Sequence, residues 1–291
     1  MTSAPVRKLL DDFHARRPVR AWSLIVTLYG DAIVPRGGSL WLGSLTEIMA
    51  LFRIDAGHVR TAMSRLTADG WLERIRTGRN SYYRLSRRGE KSFVEATQRI
   101  YFAHAPTFDG QLTLALLGPD AEGRPALRAA LDEAGFAALS PTSYVATGNL
   151  VGAVPALEGV FLLTADARNA QALATAAWKL APLAQAYENF VARFSRFESS
   201  LKTGATAPDA DALIARTLLI HEFRRAVLRD PGLPTALLPA DWPGAQARQL
   251  AARVYRHLVG PAERYLSDHA ANEKGPLPPP EPAFLRRFAG G

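Results

Sequence analysis

The sequence predicts a mainly α chain with α+β: an N-terminal winged helix-turn-helix, a middle α+β domain of ferredoxin-like type and a C-terminal helical domain. Three observations predict it. Residues 45–85 read as a helix, a turn, a second helix and a basic β-hairpin. From Gln111 the apolar period changes to short strands mixed with helices, in the order βαββα. Beyond Leu183, long stretches carry apolar residues at helical spacing and are bounded by Pro/Gly clusters.

In the first of these, Asp55 is placed to cap the second helix, because its carboxylate can accept from the free N–H groups of the first turn. Val59, Ala62, Met63 and Leu66 then recur at three- and four-residue spacing, giving an apolar face for a core. The opposite face carries Arg60, Thr61, Ser64 and Arg65, donors of the kind that contact phosphates and guanine edges in a major groove. Gly70 ends the helix. Trp71, Leu72, Ile75 and Tyr83 anchor the hairpin, from which Arg74, Arg76 and Arg79 project, with Thr77-Gly78-Arg79-Asn80 at its tip. The candidate contacts to double-stranded DNA are Arg36, His58, Arg60, Thr61, Ser64, Arg65, Arg74, Arg76, Arg79 and Asn80. The plainer alternative is a small αβ domain whose arginines only confer solubility; helix polarity, spacing and wing charge together favour DNA.

The totals agree with that choice. The chain has 291 residues, enough for two or three domains, and its hydrophobic fraction of 48% supplies well-formed cores. With no cysteine it excludes disulfides, cysteine–zinc sites and thiol catalysis. No apolar run reaches the roughly 18 residues of a membrane span, and the expected location is the cytoplasm. Charge is uneven: residues 1–104 hold 17 Lys+Arg against 9 Asp+Glu, whereas residues 105–291 are balanced at 18 each. The whole net charge of +8 therefore sits with the predicted winged helix, as a polyanion partner for that domain requires.

Along the chain, residues 1–19, with Arg7, Lys8, Arg16 and Arg17, read as a short helix or a flexible arm. Residues 21–29 are apolar enough for a buried first helix closed by Gly30; residues 31–39 form a Pro/Gly-rich connection exposing Arg36; residues 41–52 supply the supporting helix. Residues 87–102 read as an exit helix, and Pro106 and Gly110 mark a boundary. Strands are expected at 111–118, 137–147, which holds a Pro-Thr-Ser turn, and 159–164, and helices at 124–134 and 166–180, with the fourth strand of a ferredoxin-like sheet not evident. Residues 183–202 place Tyr187, Phe190, Phe194 and Phe197 at helical spacing, a stripe for core or dimer contact. A break follows at 203–208, then helices over 209–228 and 244–266, and the prolines of 276–282 suggest a mobile tail. The expected domains are 20–104, 105–202 and 203–270, followed by a tail over 271–291.

No catalytic constellation is present. His221-Glu222-Phe223-Arg224-Arg225 begins like a zinc-protease helix, but Arg225 stands where the second histidine ligand belongs. There is no Gly-x-Ser-x-Gly elbow, P-loop or dinucleotide glycine motif. The expectation is a protein that is not an enzyme and has no metal or cofactor.

Several blocks carry a family resemblance: Gly30-Asp31, Pro35-Arg36-Gly37-Gly38, Trp41-Leu42-Gly43-Ser44-Leu45, Val59-Arg60-Thr61-Ala62, Ser64-Arg65-Leu66, Asp69-Gly70-Trp71-Leu72 and Gly78-Arg79. To these the C-terminal half adds residues 218–225, Leu228-Arg229-Asp230-Pro231, Leu233-Pro234 and Asp241-Trp242-Pro243-Gly244. Together, over residues 20–268, they resemble the PaaX-type repressors, bacterial regulators of phenylacetic acid breakdown. The resemblance implies a middle domain similar to the small CRISPR-associated ferredoxin-like nucleases, although the first strand here lacks the acidic residue such nucleases use for metal. It also implies a repressor released from its operator by an aryl-acetyl coenzyme A thioester, typically phenylacetyl-CoA.

A CoA thioester presents phosphates at one end and an apolar acyl group at the other. The candidate effector contacts are His221, Arg224, Arg225, Arg229 and Trp242; the alternative is that the three arginines pair with Glu222, Asp230 and Asp241 to hold helices together. A homodimer is expected, since one winged helix makes too few contacts for operator specificity. The rival readings are a nucleic-acid-processing hydrolase built on the ferredoxin-like domain and an architectural DNA-binding protein without an effector.

Overall fold

The structure, a computed structural model, describes residues 2–16, 18–102, 105–118, 124–151, 158–166, 169–201 and 208–289. Arg17 of the expected arm and residues 203–207 of the expected break lie outside them. The chain begins with α1 (Ala4–His14), α2 (Ala21–Leu28), β1 (Ser39–Trp41), α3 (Leu42–Leu51), α4 (Ala56–Ala68), β2 (Leu72–Thr77), β3 (Asn80–Leu85) and α5 (Arg87–Thr97). Then come β4 (Gln111–Leu117), α6 (Arg124–Glu133), β5 (Ala137–Ser140), β6 (Ser143–Thr147), β7 (Val160–Asp166) and α7 (Ala170–Trp178). The remainder is α8 (Leu180–Leu201), α9 (Asp209–Val227), α10 (Gly244–His269), β8 (Ala271–Asn272) and β9 (Gly275–Pro276). Helices predominate and every sheet is antiparallel, an α+β composition.

The chain divides into two compact units: Met1–Ala103 with Tyr187–Leu228 and Gly244–Gly291, and His104–Ala186 with Arg229–Pro243. This corrects the expected division into three successive domains and a tail. The C-terminal helices share a core with the N-terminal segment: α9 packs on α1, α2 and α10, and α4 on α2 and α3. Residues 4–14 form a helix that buries Val6, Leu9 and Leu10. The aromatic stripe of α8 belongs to this core, with Phe190 ring to ring with Phe194 at 4.9 Å and with Phe223 at 5.3 Å.

Gly30 does not end α2. The backbone instead widens into a π-helical turn, Tyr29–Ile33, and a 3-10 turn, Val34–Arg36, before Gly37 reverses it at φ +91. Gly30 is required for close approach, since a Cβ there would lie 2.8 Å from Phe93 Cε1 on α5.

The connection after Gly30 is buried rather than exposed, and Asp31 is its hub. Its carboxylate pairs with Arg216 Nε at 2.7 Å and Arg287 Nη1 at 3.2 Å, and accepts from the Tyr101 and Tyr255 hydroxyls at 2.7 and 3.0 Å. Burial opposes the Arg216 charge, but Asp31 and Glu263 outweigh it and the guanidinium stays fully protonated. The expected mobile tail is therefore anchored. Residues 282–289 bury Phe284, Arg287 and Phe288, and Arg287 lies over the Tyr101 ring at 4.2 Å, so the proline-rich stretch leads into a fixed strap.

In the second unit the four strands run β5-β6-β4-β7. The fourth strand is present because residues 137–147 form a hairpin rather than one strand, turning between Ser140 and Ser143. The strand order is that of a ferredoxin-like sheet, but its helix pattern is not. Among the described residues α7 follows the last strand, where a ferredoxin-like chain has its second helix before that strand. The two helices also lie on opposite faces: α6 covers Ala115, Leu117, Tyr144 and Ala146, while α7 with Leu233 and Leu237 covers Leu112 and Val145.

Candidate nucleic-acid interface

The turn between α3 and α4 starts the interface. Asp55 Oδ1 accepts from the His58 backbone N–H at 2.9 Å, and Oδ2 lies 2.6 Å from His58 Nδ1. These bonds hold the Asp55 carboxyl below its usual range, the backbone bond contributing most. The apolar face of α4 is buried as expected: Val59, Ala62, Met63 and Leu66. Consequently Arg60, Thr61, Ser64 and Arg65 all face solvent. The Thr61 hydroxyl donates back to Gly57 O at 3.0 Å, and Arg65 lies 5.3 Å from the Trp22 ring and 3.5 Å from Asp69.

β2 and β3 pair in register from Leu72↔Leu85 to Thr77↔Asn80, leaving Gly78-Arg79 as a two-residue turn with Gly78 at φ +59. Arg74 is steadied by the Ser81 hydroxyl, which accepts from Nη2 at 2.7 Å and Nε at 3.1 Å. Arg76, Arg79 and Asn80 are exposed, and β1 completes the sheet on the far side of β3. A capped helix and a fully paired hairpin thus present guanidinium and hydroxyl groups to solvent, a surface that suits a polyanion.

Arg36 does not belong to this surface. Its side chain is 2% exposed, its Nε lies 2.8 Å from Glu263 Oε2 and its Nη2 donates to Ser267 Oγ at 2.8 Å. A half-buried carboxylate on α10, Glu263, has recruited it, and this correction removes Arg36 from the candidate DNA-contacting set.

The effector candidates separate. Arg229 and Trp242 fall in the second unit; His221, Arg224 and Arg225 lie on α9 in the first. His221 is buried 3.0 Å from the Thr27 hydroxyl, and burial, reinforced by Arg224, Arg225 and Arg16, pushes its pKa down to about 3. Arg225 is exposed. Arg224 is not in the salt bridge considered from sequence: Glu222 is held by Arg16 and by Arg193 at 3.2 Å, and Arg224 instead donates to Thr27 Oγ1 and to Ser23. Arg224 also lines a cavity that sequence reading missed, whose walls come from α2, α5, α9 and the Tyr101 segment. Periodicity in any one of those segments carries no signal for it. Among the described residues no three His, Asp or Glu side chains gather as metal ligands, and no helix is long and apolar enough to cross a membrane.

This chain belongs to the PaaX-like family. The PaaX-like protein model matches residues 20–89, which hold α2 through the hairpin, and the PaaX-like protein C-terminal domain model matches residues 178–268. The Transcriptional repressor PaaX of Escherichia coli (strain K12) is 35% identical over 288 residues, covering 94% of this chain and 91% of that protein. Among solved structures, the uncharacterized protein Rv0674 from Mycobacterium tuberculosis aligns over 75% of this chain and 90% of its own at 24% identity, with a TM-score of 0.47.

Proposed function

We propose that this chain is a transcriptional repressor of phenylacetate-type catabolic genes, a regulator rather than an enzyme, that binds a double-stranded operator as a homodimer. In this reading α3, α4 and the β2–β3 hairpin are a winged helix-turn-helix. Arg60, Thr61, Ser64 and Arg65, with His58 at the helix start, meet the major groove; Arg74, Arg76, Arg79 and Asn80 meet the backbone. An aryl-acetyl-CoA then releases the DNA by binding the released state more tightly. The observation that carries the proposal is the fully solvent-facing polar side of α4, capped by Asp55 and flanked by an arginine-bearing hairpin, in a relative of a named repressor.

Replacing Arg60 or Arg65 with alanine is expected to weaken operator binding by about 1–3 kcal/mol and relax specificity, with little change on random DNA. A quantitative mobility shift on both DNAs measures this. Equal loss on both would move these arginines to the phosphates, and no loss on either would remove α4 from the interface.

A further inference from the structure

The cavity beside Arg224 has the composition of an organic-anion site. It encloses about 270 Å³ and lies wholly in the first unit, with Trp71, Phe93, Ile100, Tyr101 and Ile220 among its walls. Trp71 and Phe93 meet edge to face at 6.3 Å. A cavity of about 150 Å³ suffices for benzene, so this one holds a single aromatic ring with a short side chain but not a coenzyme.

Two arginines line it, Arg99 and Arg224, and Arg224 has no carboxylate partner among the described residues. Arg224 donates through Nε to Thr27 Oγ1 and through Nη2 to Ser23 O and Oγ, at 2.8, 2.9 and 2.8 Å, while Nη1 has no acceptor among the described residues. Of the two carboxylates on the wall, Asp31 is committed to Arg216 and Arg287, and Glu95 is exposed. Burial, with Arg225 nearby, lowers the Arg224 pKa to about 10. An unpaired, half-buried guanidinium in an apolar recess gains most from an oxygen acceptor that arrives with an apolar group attached.

We propose that this cavity binds the aryl-acyl end of the effector, the ring lying against Trp71 and Phe93 and the carbonyl or carboxylate oxygen accepting from Arg224 Nη1. The regulatory consequence rests on the repressor reading above; the binding site itself does not. Two routes lead from the cavity to the DNA-binding surface. Trp71 immediately precedes β2, and Arg224 grips α2 at Ser23, next to the Trp22 that lies under Arg65. A ligand that draws Arg224 toward its oxygen loosens α2 from one side and presses on the hairpin base from the other, so the bound state holds α4 and the wing in a different relation.

Calorimetric titration with phenylacetate and with phenylacetyl-CoA tests the site directly, and comparing the two separates a free acid from its thioester. Ala96 lines the cavity from α5 and is partly exposed, so Ala96→Phe fills the space while leaving Arg224 and its partners in place. The expected result is binding of at least one compound to the wild type, a tenfold or greater loss in Ala96→Phe and in Arg224→Met, and unchanged operator binding by Ala96→Phe. No binding to the wild type, or equal binding to Ala96→Phe, overturns the proposal. Binding that leaves the operator complex intact keeps the site and instead overturns the effector step of the repressor reading.

Discussion

His221 is held neutral in a place where its charge would be costly. Packed edge to face on Phe13 and close to Arg224, Arg225 and Arg16, it binds its proton only near pH 3, against about 6.5 for a free imidazole. The folded-state pKa is depressed, so between those values the unfolded chain binds one proton more and stability falls as pH drops below about 6.5. From pH 7 to pH 5 this residue should account for about 2 kcal/mol of lost stability, a difference that His221→Gln removes. Urea unfolding of both proteins at the two pH values measures it, and an equal decline in both would contradict the assignment. At this scale the sequence was legible wherever a rule is local. Asp55 and the two faces of α4 follow from three- and four-residue spacing, and the structure keeps both. Arg36 was not legible, because what buries it is a helix 227 positions away.

Elements show the same division between local and distant causes. Helix lengths and the hairpin over residues 72–85 follow from caps, glycines and periodicity. The split of residues 137–147 into two strands was announced only by a Pro-Thr-Ser turn inside one apolar run. The C-terminal strap was hidden altogether: its prolines forbid regular helix, yet Phe284, Arg287 and Phe288 close the core around Asp31, a contact 256 positions away in sequence for Arg287. A chain ending at Glu281 should therefore lose at least about 3 kcal/mol of stability, since two buried rings and one partner of a buried ion cluster leave together. Chemical denaturation reports the loss. A change within about 0.5 kcal/mol, the range of ordinary surface changes, would mean that the segment is a tail after all.

Over the whole molecule, composition and fold point to one division of labour. The +8 net charge belongs to residues 1–104, and the structure places six exposed arginines of that segment, Arg60, Arg65, Arg74, Arg76, Arg79 and Arg84, on α4 and the hairpin. That much was legible from charge counts and spacing. The joining of residues 187–228 and 244–291 to the same unit was not, since it depends on which apolar faces meet, and those helices are amphipathic toward several partners at once. The joining matters for function, because it places Arg224 on α9 in direct contact with α2, the helix that carries Trp22 beneath Arg65. In the proposed reading, an effector bound at α9 needs no long path to reach the proposed DNA-binding surface.

Effector-released repression is decided by a mobility-shift titration at fixed salt. The DNA is the region upstream of the protein's own gene, titrated alone, with phenylacetyl-CoA and with free phenylacetate; salt is held constant because phosphate contacts make affinity salt-dependent. An effector-released repressor binds the upstream DNA specifically, releases it with the thioester and does not bind random DNA in the same way. Binding to the upstream DNA no tighter than to random DNA, or a specific complex indifferent to both compounds, would contradict it.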